Sequence, residues 1–177
     1  MLYKKLALPD PWTAGCSVKD FPKTRRIVLK PLIHINKNFI LLLNRKNISI
    51  ILVELFYSSP KFVSVIHSDC FSNDISKINW IYQNDSSTIN WYAPNTIGSI
   101  NRHDGHEFVP YQPHEVDLIE SANLTGSSLI QAAVPHNVIN GAGDRWALSI
   151  MLRDNNTGGQ LSFNEALNRL SEYWNTG

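Results

Sequence analysis

Apolar and polar positions alternate in short blocks along the chain, and most of the blocks have the length of a strand. Ile48–Tyr57 is rich in β-branched and aromatic residues and predicts a strand. Ser58-Ser59-Pro60 turns the chain. Lys61–His67, centred on Phe62-Val63-Ser64-Val65-Ile66, predicts a second strand covered on both faces, with Val63, Val65 and His67 on one of them. Ile78–Tyr82 and Thr88–Tyr92 predict two more, joined by the polar turn Asn84-Asp85-Ser86-Ser87. Residues 94–113 read as loop, with Gly98, Gly105, Pro110 and Pro113. Val116–Glu120, Ser128–Val134, Asn137–Ile139 and Arg145–Leu152 complete the series, and Asn140-Gly141 predicts a hairpin between the last two. Asn36–Asn47 reads as a short helix. A second helix begins at Ser162, with Glu165 three residues on as a capping box, and puts Phe163, Ala166, Leu167, Leu170 and Trp174 on one face. Many short strands and few helices predict a mainly β architecture, a sandwich or jelly roll.

The 177 residues suit one domain with a sizeable core. Within it, 1–47 reads as an N-terminal arm and helix, 48–152 as the β core and 153–177 as the C-terminal helix. Hydrophobic content of 43% against 18% charged residues excludes a disordered chain. The net charge of +1 points away from a strong polyanion, so nucleic acid is not expected as a partner. The charge is uneven: residues 1–46 hold ten Lys/Arg and two Asp/Glu. That asymmetry reads as a basic solvated flank or, more sharply, as a surface that meets an acidic substrate or nucleic acid. Two cysteines, Cys16 and Cys70, make no secreted disulfide framework. Free thiols in a reducing compartment follow, and the cytoplasm is the expected location. Leu2–Leu8 is too short and too charged for a signal peptide. The apolar stretch 39–56 is interrupted by Asn44-Arg45-Lys46-Asn47, so no membrane span is expected.

The chemistry concentrates in three places. His67 and Asp69 stand two apart at a strand end, so both side chains can reach one ion; taken alone, the pair is equally a strand-end hydrogen bond. His136 opens a later strand and is on its own a hydrogen-bonded core residue or a ligand. Arg145 follows nine positions on. By alternation Arg145, Ala147, Ser149 and Met151 share one face of their strand, opposite Trp146, Leu148, Ile150 and Leu152. A buried arginine needs a partner, either Asp144 or another acid of the chain, or the carboxylate of a ligand with Ser149 as a further donor.

His67-x-Asp69, His136 and Arg145 together resemble the His-x-Asp…His…Arg pattern of Fe(II)/2-oxoglutarate-dependent oxygenases. The surrounding text, Asn79-Trp80, Trp91-Tyr92, Pro135-His136-Asn137-Val138-Ile139-Asn140 and Arg145-Trp146-Ala147-Leu148-Ser149, resembles small phage and marine-microbe members related to the aspartyl/asparaginyl and prolyl hydroxylases. The resemblance spans roughly 48–152. It implies a double-stranded β-helix of cupin-like type and Fe(II) held by His67, Asp69 and His136. It also implies 2-oxoglutarate held by Arg145 with Ser149, lined by Asn79, Trp80 and Tyr92. The partners would be 2-oxoglutarate, dioxygen and a primary substrate that the chain does not name. Ala147 departs from the serine that several branches carry two positions after the arginine.

A second cluster, His103-Asp104-Gly105-His106-Glu107, gathers histidines and acids in a predicted loop without a distant third ligand, and reads as a solvated loop. Two rival functions are a non-redox cupin-like jelly-roll module that binds a metal or small ligand, and a structural jelly roll with an empty apolar interior. The charge at Arg145 argues against the latter.

Overall fold

A computed structural model describes residues 1–69, 74–82, 87–103 and 106–175. Within these residues the strands are β1 (Tyr3–Leu6), β2 (Arg26–Leu29), β3 (Ile48–Ser58), β4 (Ile66–Ser68), β5 (Ser76–Tyr82), β6 (Thr88–Pro94), β7 (Asn101–His103), β8 (His106–Tyr111), β9 (Val116–Asn123), β10 (Gly126–Gln131), β11 (His136–Ile139) and β12 (Arg145–Asp154). They form two antiparallel sheets, ordered β1-β10-β5-β12-β3-β2 and β7-β8-β4-β11-β6-β9. From β3 onward the chain passes repeatedly from one sheet to the other, so that β3-β12-β5-β10 faces β4-β11-β6-β9. This is the jelly roll, a double-stranded β-helix. The N-terminal arm adds β1 and β2 at the two edges of the first sheet.

The alternation read in β12 organises the packing. Trp146, Leu148, Ile150 and Leu152 point outward, into a core shared with two helices that follow the short α1 (Pro31–His34), namely α2 (Lys37–Arg45) and α3 (Phe163–Arg169), through Phe39, Leu43, Phe163 and Ala166. Each fully buried aliphatic side chain contributes about 1.5–3 kcal/mol there. Ala147 points inward and joins Ile81, Ile130, Ile89, Trp91 and Ala122 between the sheets. The indole N–H of Trp91 donates to Gln131 O at 3.2 Å and so ties one sheet to the other. Asn36 caps α2 and Ser162 caps α3, each through its side-chain oxygen. Among the described residues no helix is long and apolar enough to cross a membrane.

Several expectations are corrected. The strand predicted over 61–67 is reduced to Ile66–Ser68, and Val63 and Val65 are each 56% exposed rather than sharing a covered face with His67. Ser64 pins that segment instead: its N–H donates to Val138 O and its Oγ accepts from Val138 N, both at 2.9 Å. Residues 94–113 are not all loop, since β7 and β8 lie there. Asn140-Gly141 closes no hairpin, because β11 and β12 belong to different sheets. Neither residue has the positive φ that a type I′ turn requires. Asn140 Nδ2 instead donates to the carbonyls of Ser58, Ser59 and Gly143 and holds a crossover. Trp174 lies beyond α3, 39% exposed. The turn at 84–86 and Cys70 lie outside the described residues.

Candidate metal centre

β4 and β11 are adjacent antiparallel strands, and His67 stands directly opposite His136. Opposed residues share a face, so both imidazoles enter the space between the sheets, with ring centroids 4.8 Å apart. Asp69 follows β4 and is anchored by its N–H to Ala132 O at 3.0 Å. One ligand atom from each of His67, Asp69 and His136 lies within 4.8 Å of the others. Neighbouring ligands at bond lengths near 2.1 Å sit about 3 Å apart, so small side-chain rotations complete the set. Each Nδ1 meets a carbonyl, Val65 O at 3.0 Å for His67 and Val134 O at 2.9 Å for His136. A carbonyl only accepts, so each Nδ1 carries the proton and a neutral ring offers Nε2 as a donor of electrons.

The electrostatics are set from the facing sheet. Lys77 on β5 is 5% exposed and places Nζ 2.8 Å from Asp69 Oδ2 and 3.6 Å from Glu54 Oε2. Arg26 Nε lies 2.6 Å from Glu54 Oε1. The result is a ladder of alternating sign, Arg26–Glu54–Lys77–Asp69, that ends at the imidazoles. Burial raises the Asp69 carboxyl, but the Lys77 cation and the protonated His67 ring, whose Nε2 then donates to Asp69 Oδ1 at 3.3 Å, outweigh it and hold the pKa well below the usual range. Burial lowers Lys77, yet Asp69 and Glu54 leave it raised. For His67 burial is overcome by the Asp69 contact, so its pKa rises. His136 is depressed to about 4, first by burial and then by its neighbour His67. Glu54 and Lys77 were not among the predicted site residues. The available signal was one charge in each of two otherwise apolar strands.

On the inner face of β12, Arg145 is 6% exposed and Ser149 3%. Asp144 is no partner for Arg145: its carboxylate takes Lys23 and the Tyr57 hydroxyl. Among the described residues Arg145 Nε is enclosed with no hydrogen-bond partner, and desolvation lowers its pKa to about 10, which leaves it charged at neutral pH. Asn79 Oδ1 and Ser128 Oγ are likewise enclosed and unpaired. Two predicted lining residues face elsewhere. Trp80, neighbour of Asn79, projects from the opposite face of β5 and packs edge-on against Phe39. Tyr92 follows the inward Trp91 and donates its hydroxyl to Asn137 Oδ1 at 3.1 Å. The cluster at 103–107 lies partly outside the described residues, as do the side chains of His103 and His106. Two surface cavities of about 390 and 380 Å³ are lined by α2 with Tyr173 and by Met1 with Trp174, away from the triad.

No family model and no curated protein matches the chain. Solved structures that are similar include a 2OG-Fe(II) oxygenase family oxidoreductase from Burkholderia pseudomallei (TM-score 0.40, 14% identity, 66% of this chain and 49% of that one). A cupin 2 domain-containing protein from Halorhodospira halophila is similar over 97% of this chain and 91% of its own, at TM-score 0.37 and 8% identity. An oxalate decarboxylase from Bacillus subtilis is similar over 68% and 25%, at TM-score 0.31 and 14% identity. The chain thus spans about half of the oxygenase and a quarter of the decarboxylase, and likenesses this distant carry no argument about activity.

Proposed function

We propose that the chain is an Fe(II)- and 2-oxoglutarate-dependent dioxygenase, coupling oxidative decarboxylation of 2-oxoglutarate to oxidation of a peptide, protein or small-molecule substrate. One observation carries this reading: a His–Asp–His cluster faces the interior that also holds an enclosed arginine with no carboxylate partner among the described residues. Imidazole and carboxylate donors suit Fe(II), and three protein ligands leave positions open. His67 and His136 would bind through Nε2 and Asp69 through a carboxylate oxygen, its other oxygen being held by Lys77. Bound iron supplies the activation of dioxygen. Arg145 would grip the far carboxylate of 2-oxoglutarate, with Ser149 as a further donor. Trp91, Ile81 and Ala147 give part of the space between the sheets an apolar wall, which strengthens both interactions.

The test is Fe(II)-dependent release of succinate from 2-oxoglutarate, with metal and 2-oxoglutarate affinities measured alongside. His67→Ala and Asp69→Ala should abolish turnover. Arg145→Ala should weaken 2-oxoglutarate binding on the order of 100-fold and leave metal binding largely intact. Metal affinity that collapses in Arg145→Ala would overturn the assignment of roles. Metal binding without any 2-oxoglutarate binding would favour a non-redox cupin-like module.

A further inference from the structure

We infer that Asn79 and Ser128 form a recognition subsite for a neutral hydrogen-bonding group of the primary substrate, a carboxamide or an alcohol. This rests on the oxygenase reading for its assignment to substrate. The geometry begins with strand register. Ser128 on β10, Asn79 on β5 and Ser149 on β12 stand directly opposite one another across three adjacent strands. Ile130 and Ile81, two residues along the same faces, lie in the inter-sheet cluster, while Leu129 and Trp80 lie in the outer core. The strip therefore faces the interior. Lys77 precedes Asn79 by two residues, about 7 Å along the strand, and touches Asp69.

Among the described residues, Ser128 is 1% exposed with its Oγ unpaired, and Asn79 Oδ1 is equally enclosed and unpaired. Enclosed polar groups without partners are rare and costly. The two call for different things, since Asn79 Oδ1 only accepts, whereas the Ser128 hydroxyl can donate. 2-Oxoglutarate, with two carboxylates and a ketone, offers acceptors alone and would set oxygen against Asn79 Oδ1. An amide or alcohol offers both a donor and an acceptor. Neither Asn79 nor Ser128 carries a charge, which likewise matches a neutral group.

Three measurements on the full chain test this. Without ligand, Asn79→Leu and Ser128→Ala each remove an unsatisfied group, so Tm should rise by about 2–4 °C. A fall in Tm means that the groups are already paired, by water or by neighbours, and overturns the inference. In protein loaded with Zn(II) and 2-oxoglutarate, propionamide should shift the Asn79 side-chain NH2 resonance saturably, and propionate should bind at least about tenfold more weakly. A response to propionate alone, or to neither probe, overturns it. Ser128→Ala should leave 2-oxoglutarate affinity within about twofold of wild type. Loss of that affinity would assign the strip to the co-substrate and overturn the inference. Failure of the wild-type chain to bind 2-oxoglutarate would overturn the oxygenase reading instead, and the Tm measurement, made without ligand, stands apart from it.

Discussion

His67 and His136 face each other, yet their surroundings push them in opposite directions. The folded pKa of His136, about 4, lies below the unfolded value of 6.5. Only the unfolded chain takes up this proton between those limits, so stability of the metal-free protein should fall as pH drops from about 6.5 to 4, by on the order of 3 kcal/mol. His67, with its pKa raised, contributes stability that is present below 6.5 and lost as pH rises through its folded value. Urea midpoints measured across pH should show the acid-side loss in the wild-type chain and its absence in His136→Gln. Lys77→Met should lose roughly 3 kcal/mol, because Glu54 and Asp69 are left facing each other without the cation; denaturant titration at neutral pH reads this directly. The His-x-Asp pair was legible from its spacing along one strand, and His136 and Arg145 from the resemblance of the whole pattern. Lys77 and Glu54 were not, since they meet Asp69 only through the order of strands in the sheets. Alternation from Asn79 already set Trp80 on the far face of β5.

At the level of elements, β12 was the most legible. Its two faces, one large and apolar and the other mixed, are those the structure presents to the outer core and to the interior. The preceding connection was misread because Asn-Gly signals a tight turn only when the backbone takes positive φ. At 140 the side chain matters more than the dihedral, since Asn140 satisfies three carbonyls beside the start of β12. Asn140→Ala should therefore cost about 1–3 kcal/mol and, by loosening the Ser58–Arg145 pairing, weaken whatever Arg145 holds. Calorimetry together with a 2-oxoglutarate titration checks both effects. The capping box at Ser162 was readable from sequence, and its oxygen does accept from Glu165 N.

For the whole molecule, the basic N-terminal segment is woven into the fold rather than left as a free charged arm. β1 pairs with β10, β2 with β3, and Tyr3 stacks on Trp91 with centroids 5.6 Å apart. Lys23 and Arg26 spend their charge on Asp144 and Glu54. Sequence composition could not reveal this, because pairing across more than a hundred residues leaves no local pattern. A chain lacking residues 1–29 should lose cooperative unfolding, as judged by calorimetry, since both edges of the first sheet and the Arg26 end of the ladder go with it. On the proposed reading, Mn(II) at 100 times its Kd should add about 2.7 kcal/mol to the wild-type chain and nothing to His67→Ala.

The strand that carries His67 is three residues long and flanked by the exposed Val63 and Val65. So brief a ladder has little to hold it when its ligands are apart, and amide protons at 66–68 should exchange with deuterium among the fastest of any strand in the emptied protein. An ion shared by His67, Asp69 and His136 would fasten β4 to β11 like a clasp and slow that exchange. On the proposed reading, iron supply would then govern the integrity of the barrel wall as well as its chemistry.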